Sequence, residues 1–156
     1  MQPDRRHYAV LFGASMGLLM LELSFARTLS VALLSHYAFV AISLAMFGLG
    51  LAGLLVYLRP ERFAPAGVDA QLANALGRFG LWAALGEILF LHIHVRQEPS
   101  ITGFATLSLA YLVLAVPFFF AGLCITIVFT HFSSAIGRLY AADLIGASLG
   151  CLVAVL

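Results

Sequence analysis

Residues 117–150, PFFFAGLCITIVFTHFSSAIGRLYAADLIGASLG, decide the fold. An apolar run containing Pro117 passes through a short polar break, His131 to Arg138, into a second apolar run. The second run carries one acid, Asp143, and small residues at Ala142, Gly146 and Gly150. Apolar runs of about 20 residues separated by a polar turn predict helices that cross a bilayer. Pro117 removes one backbone hydrogen bond and predicts a helix kink, which membrane helices tolerate because neighbours satisfy the freed carbonyl. Ser133 or Ser134 reads as the N-cap of the last helix.

The remainder of the chain repeats this pattern. Of its 156 residues, 63% are apolar and 10% charged, against about half and a quarter in soluble domains. A water-soluble fold of this size still exposes much of its surface and could not hide that excess. The fold class expected is all-α, a polytopic transmembrane bundle forming a single domain. Its spans fall at about 8–34, 38–58, 79–93, 106–129 and 134–156. The first run follows a positively charged start, as in a signal peptide, but is too long for a typical signal core. Between the second and third spans, residues 59–78 read as a long polar connection, within which residues 68–76 form a surface helix or a solvated loop. Ser35 to Tyr37 and His94 to Gly103 read as turns.

Loop arginines set the expected orientation. With the N-terminus in the cytoplasm, Arg5, Arg6, Arg59, Arg62, Arg78 and Arg138 lie inside and Arg96 outside. The location expected is the bacterial inner membrane. Five spans would leave the C-terminus outside, and the abrupt apolar ending at Val155-Leu156 reads as a cut, so a fragment of a longer chain is expected.

Lysine is absent, all eight basic residues are arginine, and the net charge is +1. No basic patch exists to neutralise phosphates, which argues against a nucleic-acid partner. The partners expected are the lipid bilayer and other transmembrane helices, of this chain or a partner. Cys124 and Cys151 sit in apolar runs and read as small packing residues.

Small residues recur four apart, which places them on one helix face: Ala9, Gly13 and Gly17; Gly48 and Ala52, with Ala45 and Gly53; Ala142, Gly146 and Gly150. Such faces let helix backbones approach where hydrocarbon supplies no hydrophobic drive.

Charges inside apolar runs are costly and should face the bundle interior or a wet cavity. They are Glu22, Arg27, Glu87 and Asp143. Two readings stand for the acids: a proton, cation or polar-substrate path, or interhelical hydrogen bonds that fix packing. Asp143 is expected to be satisfied by Arg138 or a helix N-terminus. Arg27, five residues from Glu22, shares its helix face poorly and reads as snorkelling to the interface. His36, His92 and His94 fall near one face, but His92 and His94 point to different sides of a helix, and no metal site is expected. No nucleophile-His-acid order, phosphate loop, CxxC or paired-His motif is present, so no catalytic residue and no cofactor is assigned.

The phrases GRLYAADLIGASLGCLVA (Gly137 to Ala154), PFFFAGL (Pro117 to Leu123), LMLELSFARTLS (Leu19 to Ser30) and HYAFVAISLAMFGLGLAG (His36 to Gly53) resemble the membrane region of bacterial spermidine-synthase-like proteins. The positions matching that pattern are Glu22, Arg27, Pro117, Tyr140, Asp143 and Gly146. In that family an integral helical region is fused to a polyamine aminopropyltransferase-type domain, whose glycine-rich loop binds decarboxylated S-adenosylmethionine. None of that domain lies in these residues. The resemblance implies a membrane-anchoring domain, non-catalytic by itself, with a polar intramembrane pocket and a cytosolic transferase domain downstream or in a partner. The alternatives are a transporter or permease component using buried carboxylates, and a structural membrane scaffold.

Overall fold

The computed structural model describes residues 2–33, 38–92 and 101–156. Among these there are five α-helices and no strand: α1 (Arg5–Leu33), α2 (Ala38–Leu58), α3 (Val68–His92), α4 (Ile101–His131) and α5 (Ile136–Val155). Four segments are long and apolar enough to cross a membrane: Arg5–Val31, Phe39–Leu58, Ile101–His131 and Ser133–Val155. The expected turns at Ser35–Tyr37 and His94–Gly103 lie outside the described residues, apart from their last three positions. Of those three, Gly103 stands inside α4 and does not break it.

The helices alternate in direction. His7 meets Asp69, Gly17 meets Phe79 and Thr28 meets Glu87, so α1 and α3 run parallel. Gly146 meets Phe12 and Gly150 meets Met16, so α5 also runs parallel to α1. Gly48 packs on Phe118 and Gly53 faces Thr126, so α2 runs parallel to α4. Against α4 the order reverses for α3: Leu72 lies at Cys124, Arg78 at Phe120 and Gly86 at Val113. Helix α1 touches all four others, whereas α5 rests chiefly on α1.

Two apolar clusters are stacked along the bundle. One joins Leu11, Ala14, Val56, Leu72, Ile127 and Phe132. The other joins Leu18, Phe25, Leu29, Ala45, Phe79 and Phe118, where the Phe25 and Phe118 rings meet edge to face at 5.7 Å. Such aromatic pairs add about 0.5–1.5 kcal/mol beyond area burial.

The third helix differs most from the sequence reading. It is unbroken from Val68, so the supposed surface segment 68–76 and the short span 79–93 are one element. Val68, Leu72, Ala75, Phe79, Gly86 and Phe90 are its buried residues. Their steps of four, three, four, seven and four trace one helical stripe. The polar connection shrinks to residues 59–67, which make two 3-10 turns each opened by a proline, Pro60–Phe63 and Pro65–Gly67. Arg78 is therefore a helix residue, not a loop residue.

One smaller correction follows. Helix α5 is preceded by a 3-10 turn, Ser133–Ala135, and its N-cap is Ala135 with no side-chain cap bond. Neither serine caps it. Helix α4 continues through Pro117, whose side chain is fully buried. Pro117 has no N–H to offer the Val113 carbonyl four residues back. That carbonyl faces Gly86 of α3, where an added Cβ would stand 3.8 Å away.

Candidate functional site

Each of the three acids within the apolar runs, Glu22, Glu87 and Asp143, lies where its helix meets α1, or on α1 itself. Asp143 of α5 accepts a hydrogen bond from the Ser15 hydroxyl of α1. Ser15 is 2% exposed, and its single proton has a second acceptor, the Leu11 carbonyl at 2.9 Å. The seam around this pair is formed by glycines. A Cβ at Gly146 would collide with the Phe12 carbonyl, and one at Gly150 with the Met16 carbonyl. Small residues thus bring the two backbones together at the level where Asp143 needs a partner. The expected partner, Arg138, makes no ion pair with it; among the described residues the one salt bridge joins His7 and Asp69.

Glu87 of α3 accepts a hydrogen bond from the Thr28 hydroxyl, 3.0 Å away on α1. One residue earlier, Gly86 lets α3 approach: a Cβ there would stand 3.9 Å from the Phe25 ring. Glu22 is half-buried on α1 and, among the described residues, has no hydrogen-bond or ion-pair partner. Arg27 is exposed and likewise unpaired. Glu22, Glu87 and Asp143 therefore do not converge on one point; the structure distributes them over three places along α1.

The small-residue faces are partly those expected. Gly17 packs on the Phe79 ring, where a Cβ would stand 2.9 Å from a ring carbon. At Gly48 it would stand 2.6 Å from the Phe118 Cβ. Ala45 and Ala52 are buried. Gly53 is looser, 4.0 Å from the Thr126 hydroxyl, and Ala142 is half-buried. Gly13 is not a packing residue: it is exposed, and nothing lies within 4 Å of a Cβ added there. Sequence reasoning missed Gly122, where a Cβ would stand 2.9 Å from the Leu49 Cα.

At one end of the bundle, His7 joins three segments. Its Nδ1 accepts from the Asp4 backbone N–H at 3.0 Å, which leaves Nε2–H to donate to Asp69 at 2.9 Å. Its ring lies 4.2 Å from that of Phe132. The start of α1, the start of α3 and Phe132, just before the Ser133–Ala135 turn, meet here, and the order of the helices brings Arg5, Arg6, Arg59, Arg62 and Arg138 to this end of the bundle. None of His7, Asp69 and Phe132 was singled out by spacing or composition.

Of the three clustered histidines, His36 and His94 lie outside the described residues. His92 Nδ1–H donates to the Ile88 carbonyl at 2.8 Å. Among the described residues no three metal-ligating side chains gather. Cys124 is buried with its sulfur 3.9 Å from the Leu72 carbonyl, and both cysteines are free.

No family model, curated protein or solved structure matches this chain. Its own geometry is that of an all-helical bundle with membrane-length helices, in which α1 carries the hydroxyls that meet two acids of its neighbours.

Proposed function

We propose that the chain is a multi-pass membrane domain whose work is anchoring and assembly, the helical region of a spermidine-synthase-like protein. The observation that carries this reading is the use of Asp143 and Glu87 by Ser15 and Thr28. Acids held by hydroxyls on a neighbouring helix fix packing; a conduction path would need them aligned in a continuous polar file. The sequence resemblance supports the family reading, and the arginine-bearing end supports the orientation. By the positive-inside rule that end faces the cytoplasm of a bacterial inner membrane, where a transferase domain would sit.

A second reading, a polyamine transporter component, rests on Glu22, which lacks a partner among the described residues. One experiment separates the two. Labelled putrescine uptake is followed in proteoliposomes holding the parent chain or its E22Q/E87Q variant. Anchoring expects both to match protein-free vesicles. Uptake by the parent that the variant loses would overturn it. The membrane assignment itself is checked by retention in the membrane fraction after alkaline carbonate washing.

A further inference from the structure

Two cavities lie end to end along the outer face where α2, α3 and α4 meet. The first, about 300 Å³, runs from Phe63 past Gln71 and Asn74 to Arg78, against a wall that includes Leu123 and Ile127. The second, about 340 Å³, is wholly apolar and continues between α2 and α4 along Leu51, Leu112, Ala115 and Val116. Phe119 and Phe120 line both. Each is near the lower end of the roughly 300–1,000 Å³ of small-molecule sites.

The polar lobe is one-sided. Gln71, Asn74 and Arg78 step by three and four, so they share one face of α3. Arg78 lies over the Phe120 ring, 5.8 Å from its centroid. It stands about 15 Å along α3 at 1.5 Å per residue, and no carboxylate pairs with it among the described residues. Arg78 is exposed on this face, and a basic pocket between helices at the membrane surface favours an anionic headgroup. Asn74 makes no hydrogen bond among the described residues. Gln71 gives its amide N–H to the Arg62 carbonyl at 3.2 Å, while its Oε1 is buried without a partner. The lobe thus offers a cation and an amide for an anion, and one buried acceptor for a hydroxyl.

We infer that this groove holds an acidic glycerophospholipid, its phosphate at Arg78 and Asn74, a headgroup hydroxyl at Gln71, and one acyl chain in the apolar lobe. A phosphoglycerol head supplies both the anion and the hydroxyl. A zwitterionic choline head places a cation beside Arg78 and offers Gln71 no hydroxyl. The inference rests on the chain residing in a bilayer, which carbonate-resistant membrane association tests on its own.

The test is native mass spectrometry of the detergent-solubilised chain titrated with phosphatidylglycerol or phosphatidylcholine. Preferential retention of phosphatidylglycerol is expected. R78Q should weaken it roughly tenfold or more, the loss of one charge-assisted hydrogen bond, and R78K should keep most of it. L51W, which narrows the apolar lobe from its exposed rim, should weaken both lipids alike while leaving helicity unchanged. Equal binding of the two lipids, or unchanged phosphatidylglycerol binding in R78Q, overturns the proposal. So does equal competition by free glycerol phosphate, which would mark a soluble anion, or a dimer that L51W dissolves, which would mark a second copy in the groove.

Discussion

Ser15 and Asp143 are joined by a hydrogen bond across the α1–α5 seam, directly beside the glycines that let the two backbones approach. The bond and the close approach depend on one another. Asp143 reaches Ser15 only because Gly146 and Gly150 carry no side chain, and the bare glycine seam gains a directional contact that sets its register.

The pair should therefore be energetically coupled. S15A and D143A are each expected to destabilise the chain, and the double variant should cost less than their sum. Interhelical hydrogen bonds in membranes average about 0.6 kcal/mol and reach about 1.7 kcal/mol. A double-mutant cycle by unfolding in mixed detergent micelles measures the coupling; strict additivity would count against the bond.

Glycine substitutions should divide sharply. G146L and G150L place side chains against the Phe12 and Met16 carbonyls and are expected to cost at least about 1–3 kcal/mol each, the usual range for overpacking. G13L meets open space and should be tolerated. Helix proximity is read by energy transfer between dyes on α1 and α5. A G146L chain with unchanged transfer and stability would contradict the seam.

A similar contrast is available on α4 and α3. G122A would press on the Leu49 Cα at 2.9 Å, whereas G86A finds its nearest neighbours at 3.8 and 3.9 Å. G122A should lower the midpoint of thermal unfolding in detergent, and G86A should leave it nearly unchanged.

For Glu87 the hydroxyl donor matters more than the charge. E87Q keeps an oxygen that accepts from Thr28, so its cost should be small. T28V removes the donor while keeping shape, and should cost on the order of 0.6–1.7 kcal/mol. The same micelle unfolding assay compares them; a costly E87Q beside a neutral T28V would reverse the assignment.

Four of the five helices are legible in the apolar runs, and α2 begins and ends at the residues the sequence indicates. The start of α3 is not, because Asp69, Gln71, Asn74 and Arg78 read as a polar connection. Its buried stripe was nonetheless present at Val68, Leu72, Ala75 and Phe79, a period of 3.6 that average polarity conceals. The acids were legible as residues that need partners. Their partners were not, because Ser15 and Thr28 are ordinary hydroxyls in a helix until one knows that α5 and α3 lie beside it. Spacing of four likewise made Gly13 equivalent to Gly17, although only Gly17 has a neighbour, the Phe79 ring.

The central place of α1 bears on how the chain is made. It emerges from the ribosome before α5, and Asp143 follows Ser15 by 128 residues. At about 5–20 residues per second this is a delay of roughly 6–25 s. For that interval the Ser15 hydroxyl has no partner on α5, and its bond to Leu11 within its own turn is what lets the newborn helix enter lipid. Asp143 then enters a groove already equipped with its donor. The α1–α5 seam thus closes only after α2, α3 and α4 have been made, and a chain stalled before α5 would present an open α1 face to quality-control proteases.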